Sequence, residues 1–217
     1  ETAISAGLAD GKTIGQGLDE MDKIAKETLD DTFRTALTGD SKEYRESSSS
    51  LMFAFVLAIL LIYLILAAQF ESFKDPFIIM LTVPLAIAGA LIFMFAGGIT
   101  MNIFSQIGII MLIGLVAKNG ILIVEFANLK QESGEDKMAA IRNAALQRLR
   151  PILMTSVSTI LGLIPLAFAT GEGANQRIAM GTAVVGGMLV STLLTMYIVP
   201  AIYTYISTNR KVKTETV

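Results

Sequence analysis

The chain divides at its charges. No Asp, Glu, Lys or Arg occurs from Ser47 to Phe70, from Pro76 to Ala117, from Pro151 to Gly171, or from Ile178 to Asn209. A further apolar run, broken by Lys118 and Glu125, continues to about Ala127. A helix crossing a hydrocarbon core of ~30 Å needs about 20 mostly apolar residues. The long second stretch therefore holds two spans, with Gly97-Gly98 as the natural break. The pattern predicts five spans, near 51–70, 76–97, 102–126, 151–170 and 178–206. The competing reading is a buried helical core in a soluble protein, and five runs of this length and purity weigh against it. Pro76 and Pro151 each follow a charged segment and open an apolar run, as expected of a first helical turn. Pro84, Pro165 and Pro200 fall inside spans, where they should kink helices that neighbours can still satisfy.

Residues 1–50 are different, with eleven acidic and six basic side chains. Thr2 to Leu8 has the character of a strand, closed by an Asp10-Gly11 turn. Leu18, Met21, Ile24, Ala25 and Leu29 recur at helical spacing. Phe33, Thr35 and Leu37 alternate with Arg34, Ala36 and Thr38, as in a second strand. A β-α-β unit over 1–39 is too small to stand alone, so it is expected to end a larger soluble domain. Residues 40–50 read as a polar connector, 51–206 as the membrane domain and 207–217 as a tail. The fold class expected is mainly α, a polytopic membrane protein preceded by a partial β-α-β segment.

Composition agrees. Of 217 residues, 17% are charged, against about 25% in soluble domains, and mean hydropathy is +0.62. Cysteine and histidine are absent, which excludes disulfides, thiolate metal sites, cysteine nucleophiles and Ser-His-Asp chemistry. No cofactor, metal or enzymatic activity is expected. Net charge is −2, so there is no global basic field to attract nucleic acid. No Walker motif occurs, so ATP is not the energy source visible here. Residue 1 is Glu rather than Met, suggesting a piece of a longer chain or a processed product.

Lys and Arg in the connections set orientation. Lys74 lies in the loop 71–75. Lys130, Lys137, Arg142, Arg148 and Arg150 lie in 127–150, expected to be a loop, and Arg210, Lys211 and Lys213 lie in the tail. The opposite connections hold only Arg177. The basic side should be cytoplasmic, leaving residues 1–50 outside the cytoplasm.

Lys118 is the most informative residue. It follows Gln106 by twelve positions, about 18 Å at 1.5 Å per residue, near the middle of the bilayer. A charge at that depth costs at least ~2.5–3.5 kcal/mol on insertion scales. Snorkelling is the bland reading, but either surface is far, and an ion or proton pathway explains the lysine better. Asn119 can hydrogen-bond to a neighbouring helix, and Gly114 would let another backbone approach the lysine's face. Glu125, seven residues on, lies near the interface, where a solvated role competes with a functional one. Arg148 and Thr155 share a helix face if that helix begins before Pro151. The Thr155 hydroxyl can serve a relay or bond back to its own helix. Arg148 can serve a relay or simply anchor the inside-positive end. Gly187, Ser191 and Thr195 form a stripe suited to close helix packing.

Several runs resemble the resistance-nodulation-division (RND) efflux transporters. They are the segments Leu66-Ala67-Ala68-Gln69-Phe70-Glu71-Ser72-Phe73 with Pro76, Val83-Pro84-Leu85, and Gly114 to Ala127. Arg148 to Ser156, Gly186-Gly187 and Val199-Pro200 complete the set. The resemblance covers nearly the whole chain and is closest to the hydrophobe/amphiphile exporter branch, whose members carry a lysine where Lys118 stands. It implies a twelve-span homotrimer of the bacterial inner membrane, working with a periplasmic adaptor (membrane fusion) protein and an outer-membrane channel. It implies export of hydrophobic or amphiphilic compounds by proton antiport. This chain would supply the last five spans and the end of a ferredoxin-like porter subdomain. The proton relay members here would be Lys118, Arg148 and Thr155, with Asn119 supporting. The acidic relay residues would lie in an N-terminal half outside this chain. Two other functions compete: a non-transporting membrane scaffold or assembly subunit, and a related protein or lipid export subunit.

Overall fold

A computed structural model describes residues 2–7, 12, 14–30, 32–171 and 173–208. Among these residues the order of elements is α1 (Ile14–Thr28), α2 (Asp40–Phe70), α3 (Lys74–Met80), α4 (Thr82–Ala96), α5 (Ile103–Glu132), α6 (Lys137–Ala167) and α7 (Ala174–Ile206). Five helical stretches are long and apolar enough to cross a membrane: Ser50–Phe70, Lys74–Ala96, Ile103–Glu132, Lys137–Ala167 and Ala174–Ile206. Each corresponds to one predicted span.

The breaks have local causes. After α4, Ile99 N–H donates to Met94 O at 2.9 Å and Gly98 N–H to Phe95 O at 3.1 Å. Gly98 sits at φ 64°, the left-handed position that closes a helix this way and suits a residue without Cβ. Asn102 then starts α5 with a reciprocal cap. Its Oδ1 accepts from Ser105 N at 2.8 Å, while Ser105 Oγ accepts from Asn102 N at 2.9 Å. Asp136 opens α6 by accepting from Met138 N at 3.2 Å.

The structure corrects several expectations. The helix of the expected β-α-β unit forms as α1, but residues 2–7 and 33–38 are not strands. A strand needs an edge to pair with, and the described residues present none. The Asp10-Gly11 turn and the tail cations Arg210, Lys211 and Lys213 lie outside the described residues. Residues 40–50 are helical, continuous with the first span. The basic segment 127–150 is not a loop. α5 runs to Glu132 and α6 starts at Lys137, because Ala140, Ile141 and Ala144 give this charged stretch a buried face. Pro151 therefore lies inside α6, not at its start. Pro76 does sit in the first turn of α3. Pro84 follows a real interruption at Leu81, which separates α3 from α4.

α7 is the hub, packed against α4, α5 and α6. The contact is close because glycine allows it. A Cβ on Gly187 would lie 2.2 Å from Leu112 Cδ2 and 2.9 Å from Ala86 O. One on Gly186 would lie 2.3 Å from Phe93 Cβ. Ser191 and Thr195, on the same stripe as Gly187, are fully buried. The interior has two apolar halves. One, around Ala86, Leu112, Val116, Val184 and Met188, lies toward the start of α5. The other, around Ile78, Ile123, Ile141, Ile152, Val199 and Tyr203, lies toward its end. α2 stands at the periphery and, among its described side chains, buries only Leu66 and Phe70.

Candidate functional site in the membrane

A polar layer separates the two apolar halves. Asn119 of α5, Ser156 of α6 and Thr192 of α7 are all buried. Asn119 Nδ2 donates to Ser156 Oγ at 3.2 Å and approaches Thr192 Oγ1 at 3.4 Å. Thr192 Oγ1 donates to Ser156 Oγ at 3.2 Å. Three helices are thus joined by bonds that satisfy these buried groups. The sequence pointed to Asn119. It did not point to Ser156 or Thr192, since small hydroxyls are common in membrane helices and only the fold brings these two together.

Lys118 and Thr155 are the chain neighbours of this layer, and both are exposed. Successive helical residues are about 100° apart. α5 and α6 run antiparallel with Asn119 and Ser156 turned toward each other. In such a pair the preceding residues, Lys118 and Thr155, project to the same side of the two helices. That side is open. A Cβ on Gly114, four residues before Lys118, would meet nothing within 4 Å, and the same holds for Gly162, seven after Thr155. The backbone expected to approach at Gly114 is therefore not one of this chain's described residues.

Thr155 Oγ1 lies 3.0 Å from Pro151 O and 3.1 Å from Ile152 O. Its proton is directed back into its own helix, while its lone pairs face the open side. Lys118 makes no ion pair among the described residues, nor does Glu125.

Arg148 sits a level lower. It lies seven residues from Thr155, about 10 Å along the helix. Its guanidinium stacks on the Phe126 ring, with Cζ 4.3 Å from the centroid. Its Nε is buried and has no hydrogen-bond partner among the described residues. Lys130 approaches the same ring at 5.8 Å and bonds Glu135 Oε1 at 2.8 Å. Glu135 also accepts from Asn143 at 2.9 Å. The hydrogen bond from Lys130, then that from Asn143, holds the Glu135 carboxyl below its ordinary pKa. The sequence-predicted residues thus share one face at two levels, with Asn119 behind the upper one, but Lys118, Arg148 and Thr155 do not touch one another.

A second buried polar group went unread in the sequence, because Asp75 stood in what looked like a charged loop. Asp75 is 2% exposed. Asn128 Nδ2 donates to its Oδ2 at 3.0 Å and Ser207 Oγ to its Oδ1 at 3.3 Å. Tyr203 OH donates to Asn128 Oδ1, and Gln131 Nε2 donates to Tyr203 OH at 2.8 Å. Gln131, Tyr203, Asn128 and Ser207 thus form one hydrogen-bonded network around the Asp75 side chain. It ties the start of α3 to the ends of α5 and α7. Among the described residues no cluster of acidic side chains could hold a metal ion.

Five apolar spans, a seam built on glycine and a polar layer at mid-membrane define a polytopic α-helical membrane protein. The chain belongs to the RND efflux transporters: the AcrB/AcrD/AcrF family matches residues 1–207. It is 41% identical over 199 residues to the toluene efflux pump membrane transporter TtgB of Pseudomonas putida, covering 92% of this chain and 19% of the relative. It is 41% identical over 197 residues to the multidrug resistance protein MdtF of Escherichia coli, covering 90% and 19%. An uncharacterized transporter of Haemophilus influenzae is 39% identical over 215 residues, covering 96% and 21%. The chain spans about a fifth of the length of these curated relatives.

Proposed function

We propose that this chain is the C-terminal membrane part of a proton-driven pump that exports hydrophobic or amphiphilic compounds by proton antiport. One observation carries the reading. α5 and α6 hold Lys118 and Thr155 on a single open face near the membrane middle, flanked by two glycines with empty space above them. A lysine at that depth requires an anion, loss of its proton, or water. A carboxylate on a helix outside this chain, packed against Gly114 and Gly162, meets the requirement. Its protonation would release Lys118 and let the helices repack, a two-state element biased by a proton. As relay members at their own levels, Arg148, a permanent cation that gives up no proton, would orient water or an anion toward the cytoplasmic end, and Thr155 would accept a hydrogen bond from a donor on the open face.

The remaining assignments follow the family. Residues 1–39 end a periplasmic porter subdomain. The whole protein is a homotrimer of the bacterial inner membrane, served by a periplasmic adaptor and an outer-membrane channel. The basic connections face the cytoplasm.

In the full-length transporter, Lys118→Ala should abolish drug resistance while expression and trimer content stay near normal. Lys118→Arg should fail too, since a guanidinium fork does not replace a compact ammonium that can lose its proton. Near-normal resistance in Lys118→Ala would return this lysine to a structural role and leave the scaffold reading standing.

A further inference from the structure

Thr192 lies on α7, on neither of the helices that carry Lys118, Arg148 and Thr155, yet it is bonded into the layer behind that pathway. The layer consists of three side chains on three helices, each 4% exposed or less. Two of the three, Asn119 and Ser156, are chain neighbours of Lys118 and Thr155. Rotation of α5 or α6 about its own axis would break the bonds of Asn119 or Ser156 in an environment with no water to replace them. It would also swing Lys118 or Thr155 off the shared face, because adjacent residues are locked about 100° apart. Apolar contacts do not resist such rotation with the same directionality, since they are satisfied over a range of angles.

We infer that Thr192 is a positioning residue for proton coupling. Through Asn119 and Ser156 its hydroxyl fixes the rotation of α5 and α6 that sets Lys118 and Thr155 side by side. The inference rests on the proton-pathway reading for its effect on transport. Its geometric half stands independently. Asn119 and Ser156 bond each other directly at 3.2 Å, and Thr192 Oγ1 closes the triangle from α7, accepting from Asn119 at 3.4 Å and donating to Ser156 at 3.2 Å. Replacement by Val keeps shape and removes both bonds, whereas Ser keeps the hydroxyl.

The test uses the full-length transporter in a cysteine-free background, with Thr192→Val and Thr192→Ser compared at equal expression and trimer content. Export should fall about five-fold in Thr192→Val, the factor given by one ordinary hydrogen bond. The pH dependence of export should shift, and Thr192→Ser should restore both. Spin labels at Met111→Cys and Ser158→Cys, both exposed positions, report the α5–α6 geometry without reference to transport. Their distance distribution should broaden in Thr192→Val and narrow again in Thr192→Ser. An unchanged distribution in Thr192→Val overturns the inference, as does an export loss equal in Val and Ser with no change in pH profile. Broadening without any change in export keeps the positioning role and rejects the pathway reading.

Discussion

Gly187 shows how a single missing Cβ sets a helix seam. The carbonyl of Ala86 and the side chain of Leu112 occupy the space a methyl group would need. The backbone carbonyl cannot turn aside, so α7 would have to move. Gly187→Ala should destabilise the transporter by about 1–3 kcal/mol, the usual cost of overpacking, read as a lower melting temperature in detergent. An unchanged melting temperature would show that the seam is slack. This stripe was legible in the sequence, since small residues every fourth position have few other uses in an apolar helix. Lys118 and Asn119 were legible for the opposite reason: they cost too much at that depth to be incidental. Phe126 was not, because an aromatic at a membrane interface has many routine roles, and only its 4.3 Å contact with the Arg148 guanidinium gives it a specific one.

Among elements, the α5–α6 hairpin departs most from its sequence reading. Charge marked 127–150 as outside the bilayer, and charge alone suggested a loop. The helical period of Ala140, Ile141 and Ala144 was present but short, and needed α7 beside it to bury. The strands missed the other way: alternation alone does not make a strand when no partner edge is present. Only residues 133–136 separate α5 from α6, and Glu135 clamps that turn to Lys130 and Asn143. Its carboxyl pKa is lowered, first by the Lys130 hydrogen bond. The clamp therefore contributes fully above the ordinary carboxylate pKa and is lost as pH falls through the depressed value. Protection of the amides at 133–136 in the full-length protein, taken relative to the intrinsic exchange rate at each pH, should fall on acidification below the ordinary carboxylate range. Glu135→Gln should exchange quickly already at neutral pH and show no such transition. Equal protection in both proteins at neutral pH would remove the clamp from the account.

For the whole molecule, sidedness is the property to test first. Across the short connections and the tail, nine Lys and Arg fall on one side of the five spans and one on the other. In a cysteine-free full-length transporter, a cysteine at Ser5 should react with an impermeant maleimide in intact, outer-membrane-permeabilised cells. One at Ser133 should react only after lysis. The reverse pattern would invert the topology. The five spans were readable without any fold, because exclusion of charge from hydrocarbon acts on each segment separately. What joins them was not, since hydrogen bonds across helices depend on rotations that no single segment specifies. α2 adds a mechanical consequence. It is one unbroken rod of 31 residues, about 46 Å long at 1.5 Å per residue. Among its described side chains the buried ones, Leu66 and Phe70, both lie at one end, beside Glu71 in a left-handed conformation at φ 48°. At the other end Arg45 bonds Asp22 of α1 at 2.6 Å. A rod tied at its head to α1, and packed along its length only through partly buried residues such as Phe55 and Ile62, can carry a tilt at its foot to α1. A tilt of about 5° at the foot carries the head about 4 Å, by the same helical rise, enough to pull α1 by most of a turn.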